Sequence, residues 1–165
     1  MKLSTLFTTA MLSAALFSTA SWANNAADIE VKNPFAREVP PGAPASASFM
    51  MLKNNSGKAI KIISAESDIA KVVELHTHTN DNGVMRMRKI DFIEIPANGM
   101  TELKPGGLHI MLIGPKEPLK ASQTIEVKLN YADGSSEIVA MPVKSLMGMG
   151  MKMNHGHGNM GHMGH

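Results

Sequence analysis

Four residues stand out for their types and spacing: His76, Met87, His109 and Met111, all within the stretch LHTHTNDNGVMRMRKIDFIEIPANGMTELKPGGLHIM. Two imidazoles and two thioethers form an uncharged, soft-to-borderline ligand set. Such a set suits Cu(I) and offers little to Mg²⁺, Ca²⁺ or Mn²⁺, which prefer oxygen donors. Type and spacing leave two readings open. The four residues form one site, or the histidines are ordinary surface groups and the methionines core filler.

Cysteine is absent. A thiolate nucleophile is therefore excluded, and so is a blue-copper centre, which needs a Cys ligand. Thioether sulfur also suits an oxidising compartment, since methionine cannot be lost to a disulfide, although it can be oxidised to the sulfoxide. Methionine is abundant, with 15 residues. Six of them, Met147, Met149, Met151, Met153, Met160 and Met163, fall in the final stretch MGMGMKMNHGHGNMGHMGH beside His155, His157, His162 and His165. This segment, residues 147–165, is rich in glycine and has no apolar periodicity. It is expected to be a flexible metal-binding tail, taking Cu(II) or Cu(I), rather than part of a core.

The elements that would position the first four residues read as short strands. Ile29 and Val31 mark a weak first strand, and REVPPGAP over residues 37–44 is a loop. Further strands are expected over Ala45–Lys53, Ala59–Ala65, Val72–Thr79, Val84–Lys89, Phe92–Ile95, Leu108–Ile113, Thr124–Tyr131 and Glu137–Val143, with Met100–Leu103 leading into the tight turn at Lys104-Pro105-Gly106-Gly107. The alternation is cleanest where Ile125, Val127, Leu129 and Tyr131 face in. Short strands between turn signals indicate an antiparallel sandwich or barrel, with one helical turn conceivable over Asp68–Val73.

His109 and Met111, two residues apart on a strand, leave the same face. Asn80-Asp81-Asn82-Gly83 predicts a hairpin that sets His76 across from Met87. The site is thus expected from two pieces of sheet edge with two ligands each, the Pro105-Gly106-Gly107 turn bringing the second piece close. Met85 shares the face of Met87 and reads as an apolar wall beside the site, the alternatives being a spare ligand or a stepping stone for exit. His78 shares the face of His76 and reads as a solvated histidine, the alternative being a helper for Cu(II); Arg86 and Arg88 read as a solvated face or docking patch, and Glu74 as a group able to orient an imidazole.

The chain has 165 residues and begins with Lys2 and an uncharged run to Ala20, followed by Ser21-Trp22-Ala23. This is the pattern of a secretory signal peptide cut after Ala23. It leaves a domain over residues 24–146 and the tail, with no membrane span in the mature form. The mature chain would carry 15 basic and 14 acidic groups, given 16 and 14 in the whole with Lys2 in the leader. That balance opposes a nucleic-acid partner, which needs a basic stripe. There is no Gly-x-Ser-x-Gly elbow, phosphate loop or His-Glu-x-x-His helix, so no enzyme is expected.

The spacing His76, ten residues, Met87, 21 residues, His109, one residue, Met111 resembles the H-x10-M-x21-H-x-M signature of the periplasmic PCuAC copper chaperones. GVMRMR and LKPGGLHIMLIG are similar to that family as well, and the likeness runs over roughly Ile29 to Val143. The resemblance implies a cupredoxin-like, antiparallel Greek-key β-sandwich, with His76, Met87, His109 and Met111 as Cu(I) ligands. It implies a periplasmic carrier delivering copper towards cytochrome c oxidase, alongside Sco-type assembly proteins. The alternative is a copper buffer or resistance protein that sequesters without dedicated delivery.

Overall fold

The computed structural model describes residues 24–145. The expected signal peptide over residues 1–23 and the tail over residues 147–165 lie outside the described residues. A single helical turn, α1 (Asn25–Asp28), opens the chain, with the Asn24 side chain accepting from the Ala27 amide at 3.3 Å. Ten strands follow: β1 (Ile29–Arg37), β2 (Ala45–Asn54), β3 (Ile60–Glu66), β4 (Ala70–Asp81), β5 (Val84–Lys89), β6 (Ile93–Ile95), β7 (Met100–Leu103), β8 (His109–Pro115), β9 (Thr124–Tyr131) and β10 (Ser136–Lys144). Asp68–Val73 holds no helical turn: Asp68 and Ile69 form a turn and β4 begins at Ala70. Among the described residues no helix is long and apolar enough to cross a membrane.

The strands form an open β-sandwich. One layer runs β5-β4-β8-β2-β1, with β7 also paired to β2, and the other runs β10-β9-β3-β6. Side chains alternate along each strand, so each sheet has one face to bury. Leu52, Leu75, Ile110 and Leu112 from the first layer meet Ile62, Ile95, Val127, Leu129, Tyr131 and Met141 from the second.

The layers are joined through β1. Its register against β2 shifts between Lys32 and Phe35, where Asn33 takes φ +49° and Pro34 has no amide proton to give. A bulge bends a strand and increases its twist. Beyond it, Ala36 and Arg37 pair with Val143 and Lys144 of β10 in parallel. The strand pairs among the described residues are therefore antiparallel except at this seam, because the bent strand meets β10 running in its own direction.

Candidate metal centre

β4 lies between β5 and β8, and its registers decide the site. Against β8, His76 faces His109 and Glu74 faces Met111. Against β5, His78 faces Met87, and His76 faces Lys89. Leu75 and Ile110, the intervening pair, belong to the core. By alternation, Glu74, His76, His78, Met85, Met87, Lys89, His109 and Met111 all leave the opposite face of the sheet, away from the core.

The expectation that His76 stands across from Met87 is corrected. The turn uses Asn82 and Gly83, at φ +54° and +86°, and Asp81 pairs with Val84. A two-residue turn with both residues at positive φ locks the register. Met87 is therefore opposite His78 and diagonal to His76, still within reach of a long side chain. The picture of two sheet edges is corrected too. β5 is an edge strand, but β8 is interior, between β4 and β2. His76 and His109 meet as direct cross-strand partners.

The two histidines are held in complementary ways. His76 Nε2 donates to Glu74 Oε2 at 2.8 Å, and Lys89 Nζ donates to the other oxygen of the same carboxylate at 2.9 Å. His109 Nδ1 donates to the Gly107 carbonyl at 3.0 Å. The remaining nitrogens, His76 Nδ1 and His109 Nε2, are buried and have no hydrogen-bond partner among the described residues. A buried polar atom without a partner is costly. An imidazole whose one N–H is anchored and whose other nitrogen is bare is arranged as metal-binding histidines are. The ring centres are 5.7 Å apart. Metal–imidazole bonds of about 2 Å put the centres of two rings on one ion no more than roughly 6 Å apart.

The electrostatics favour the same state. Hydrogen bonds first from His76 and then from Lys89 hold the Glu74 carboxyl below its ordinary value, so it remains an acceptor. Burial pushes the His109 imidazole below its ordinary value against the opposing pull of the Gly107 carbonyl, and His78 and His76 nearby add to the depression. A neutral His109 keeps its lone pair for an ion.

Exposure grades across the face. His109 is 2% exposed, resting beside Phe49, while Met87 on the edge strand is 45% exposed and Met85 55%. Phe35 and Phe49 stack with centroids 5.2 Å apart, and Phe49 lies 6.4 Å from the His109 ring. His78 is not the solvated histidine expected: its ring is half-buried and 5.2 Å from that of His109. Arg86 and Arg88 lie on the other face of the hairpin and pair with Asp81. Among the described residues, no three His, Asp or Glu side chains stand together as a ready metal cage with the rings in this arrangement, and the thioethers of Met87 and Met111 can complete the shell of a soft ion. A separate cleft of about 700 Å³, lined by residues including Glu66, Lys116 and Lys128, contains none of these groups. The tail histidines and methionines lie outside the described residues.

Sequence reasoning missed the Phe35–Phe49 floor, Lys89 and the Gly107 carbonyl. Only the glycine turn hinted at the last. Gly106 takes φ +79°, a conformation natural to glycine, and this turn aims the next carbonyl at the rings.

A family model described as "Putative lipoprotein LpqE-like" matches residues 29–143. The chain belongs to the LpqE-like family. This LpqE-like chain is 39% identical over 108 residues to the lipoprotein-named Lxx21020 of Leifsonia xyli subsp. xyli, a match covering 65% of each chain. It thus spans less than two thirds of that relative's length. DR1885 from Deinococcus radiodurans is similar in both of its solution structures. The apo form is 32% identical with a TM-score of 0.57, covering 88% of this chain and 97% of that one. The Cu(I) form is 35% identical with a TM-score of 0.56, covering 69% and 78%. The copper-bound PCuAC domain from PmoF2 shares the fold, with a TM-score of 0.61 at 18% identity, covering 72% and 93%. The β-sandwich expected from the sequence is thus the architecture of PCuAC domains.

Proposed function

We propose that this protein is a copper carrier of the PCuAC type that holds one Cu(I) through His76, Met87, His109 and Met111. One observation carries the reading. His76 Nδ1 and His109 Nε2 are buried and bare, on rings 5.7 Å apart that belong to direct cross-strand partners, on a face that also presents Met87 and Met111. The likeness to DR1885, solved with Cu(I), supports the choice of ion. Copper is cargo, and the graded exposure suits release. Met87, on the open edge strand, leaves first when a competing ligand arrives. The buried imidazoles, anchored by Glu74 and Gly107, leave last. A thioether is a weaker donor than a thiolate, so transfer to a cysteine-bearing acceptor is downhill.

The wider reading is a carrier rather than an enzyme, exported to the periplasm by residues 1–23. It supplies a Sco-type assembly protein or the copper-bearing subunit of cytochrome c oxidase. The lipoprotein names of the family and of Lxx21020 support export. The His/Met tail gathers further Cu(I) or Cu(II) and, being tethered, raises its local concentration.

The test is an anaerobic Cu(I) competition titration against a chromophoric chelator. It uses the full chain and a tail-silent chain, in which the ten His and Met of residues 147–165 are replaced by alanine. The tail-silent chain is expected to bind one Cu(I), and adding Met87→Ala with Met111→Ala to abolish competitive binding. If all Cu(I) binding vanishes with the tail, the folded site is not the carrier site. Deletion that lowers copper tolerance while leaving oxidase assembly intact would favour the buffer reading over delivery.

A further inference from the structure

We propose that His78 is a third imidazole of this site, taken up when the cargo is Cu(II) in place of Met87. The inference rests on the copper-carrier reading. The protein has seven histidines, four of them in residues 147–165. The remaining three, His76, His78 and His109, all lie on one face of β4 and β8. His78 is the nearer neighbour of His109, with ring centres 5.2 Å apart against 5.7 Å for His76.

Cu(I) is content with two nitrogens and two thioethers, but Cu(II) favours nitrogen and oxygen donors in a tetragonal arrangement. Two imidazoles under-supply it. The Glu74 carboxylate lies on the same face, but its oxygens are taken by His76 and Lys89. His78 is held differently. Among the described residues its only hydrogen bond is Nδ1 to the Gly107 carbonyl at 3.4 Å, and that oxygen already accepts from His109 at 3.0 Å. A bond that long on a shared acceptor is weak. The ring is thus the least anchored of the three and can turn at small cost.

His78 is also the direct cross-strand partner of Met87. Such pairs have Cβ atoms roughly 5 Å apart, so the imidazole and the thioether approach the same position beside His109. Both cannot fill it. Soft cargo selects the sulfur and harder cargo the nitrogen, while His76 and His109 stay in place.

The test uses the tail-silent chain, whose only histidines are these three, with and without His78→Gln. Pulsed EPR at one equivalent of Cu(II) is expected to count three imidazoles, falling to two in the variant. Cu(II) affinity, by chelator competition, should fall tenfold or more while Cu(I) affinity changes less than about twofold. Each tenfold loss confined to Cu(II) raises the one-electron midpoint potential by about 59 mV. Two or fewer imidazoles before substitution, or an unchanged Cu(II) affinity after it, overturns the proposal. So does an equal loss for both oxidation states, which would mark His78 as structural. Absence of Cu(I) binding in the tail-silent chain strikes instead at the carrier reading, and the imidazole count still judges His78.

Discussion

Replacing Glu74 with alanine tests whether the copper affinity depends on how His76 is held. Among the described residues the Glu74 carboxylate is the only partner of His76 Nε2, at 2.8 Å. It keeps the proton on that nitrogen and leaves Nδ1 bare. Removing such a partner from a metal-bound histidine typically lowers affinity ten- to hundredfold. Two features set the effect at the lower end. The Glu74 side chain is 21% exposed, so water replaces part of the lost acceptor, and the β4–β8 ladder still holds His76 opposite His109. Glu74→Ala in the tail-silent chain is therefore expected to lower Cu(I) affinity about tenfold, with stoichiometry unchanged. Glu74→Gln keeps an amide oxygen in the same place and should recover much of the loss. The assay is anaerobic competition, accompanied by ¹⁵N NMR of the apo protein. The His76 ring nitrogens should report a single tautomer protonated at Nε2 in the parent and a mixture in Glu74→Ala. An affinity within twofold of the parent together with a mixed tautomer would refute the reasoning, because the orientation of His76 would then not limit binding.

Phe49 is 4% exposed and backs both Phe35 and His109. Phe49→Ala should cost about 3 kcal/mol in urea denaturation and weaken copper binding, whereas Phe49→Leu should recover most of the stability. Burial pushes the Glu137 carboxyl above its ordinary value, only partly offset by the hydrogen bond from the Tyr131 hydroxyl at 3.1 Å. A raised pKa in the folded state means that the native protein holds more protons than the unfolded chain in that window. Stability from this group is therefore full below the ordinary glutamate range and falls as pH rises through the raised value. Glu137→Gln should accordingly flatten the decline of the urea midpoint between mildly acidic and neutral pH. An unaltered pH profile would show that Glu137 does not cause it.

The legible parts of this protein were those governed by local chemistry. Alternation along Thr124–Tyr131 placed its four apolar residues in the core, and β5 and β9 have the expected bounds. The turn residues Asn82 and Gly83 also contained the hairpin register. Counting outward from a two-residue turn pairs His76 with Lys89 rather than Met87, and that step was available from the sequence. The seam between layers was less legible, since a bulge at Asn33 and Pro34 reads as a loop until its far side is seen to pair with β10.

Residue types and spacing by themselves determined which donors this chain can offer an ion, and which face each leaves along its own strand. Only the tertiary structure decided that β4 lies beside β8, bringing His76 against His109 and Glu74 against Met111. It also decided that the Gly107 carbonyl and the Glu74 carboxylate each anchor one nitrogen and leave its partner bare. The physical reason is range. Side-chain alternation is a property of a few consecutive residues. The neighbour of a strand is chosen by burial of the whole core, with Leu75 and Ile110 driven into it, and the outward face takes whatever partners that burial leaves.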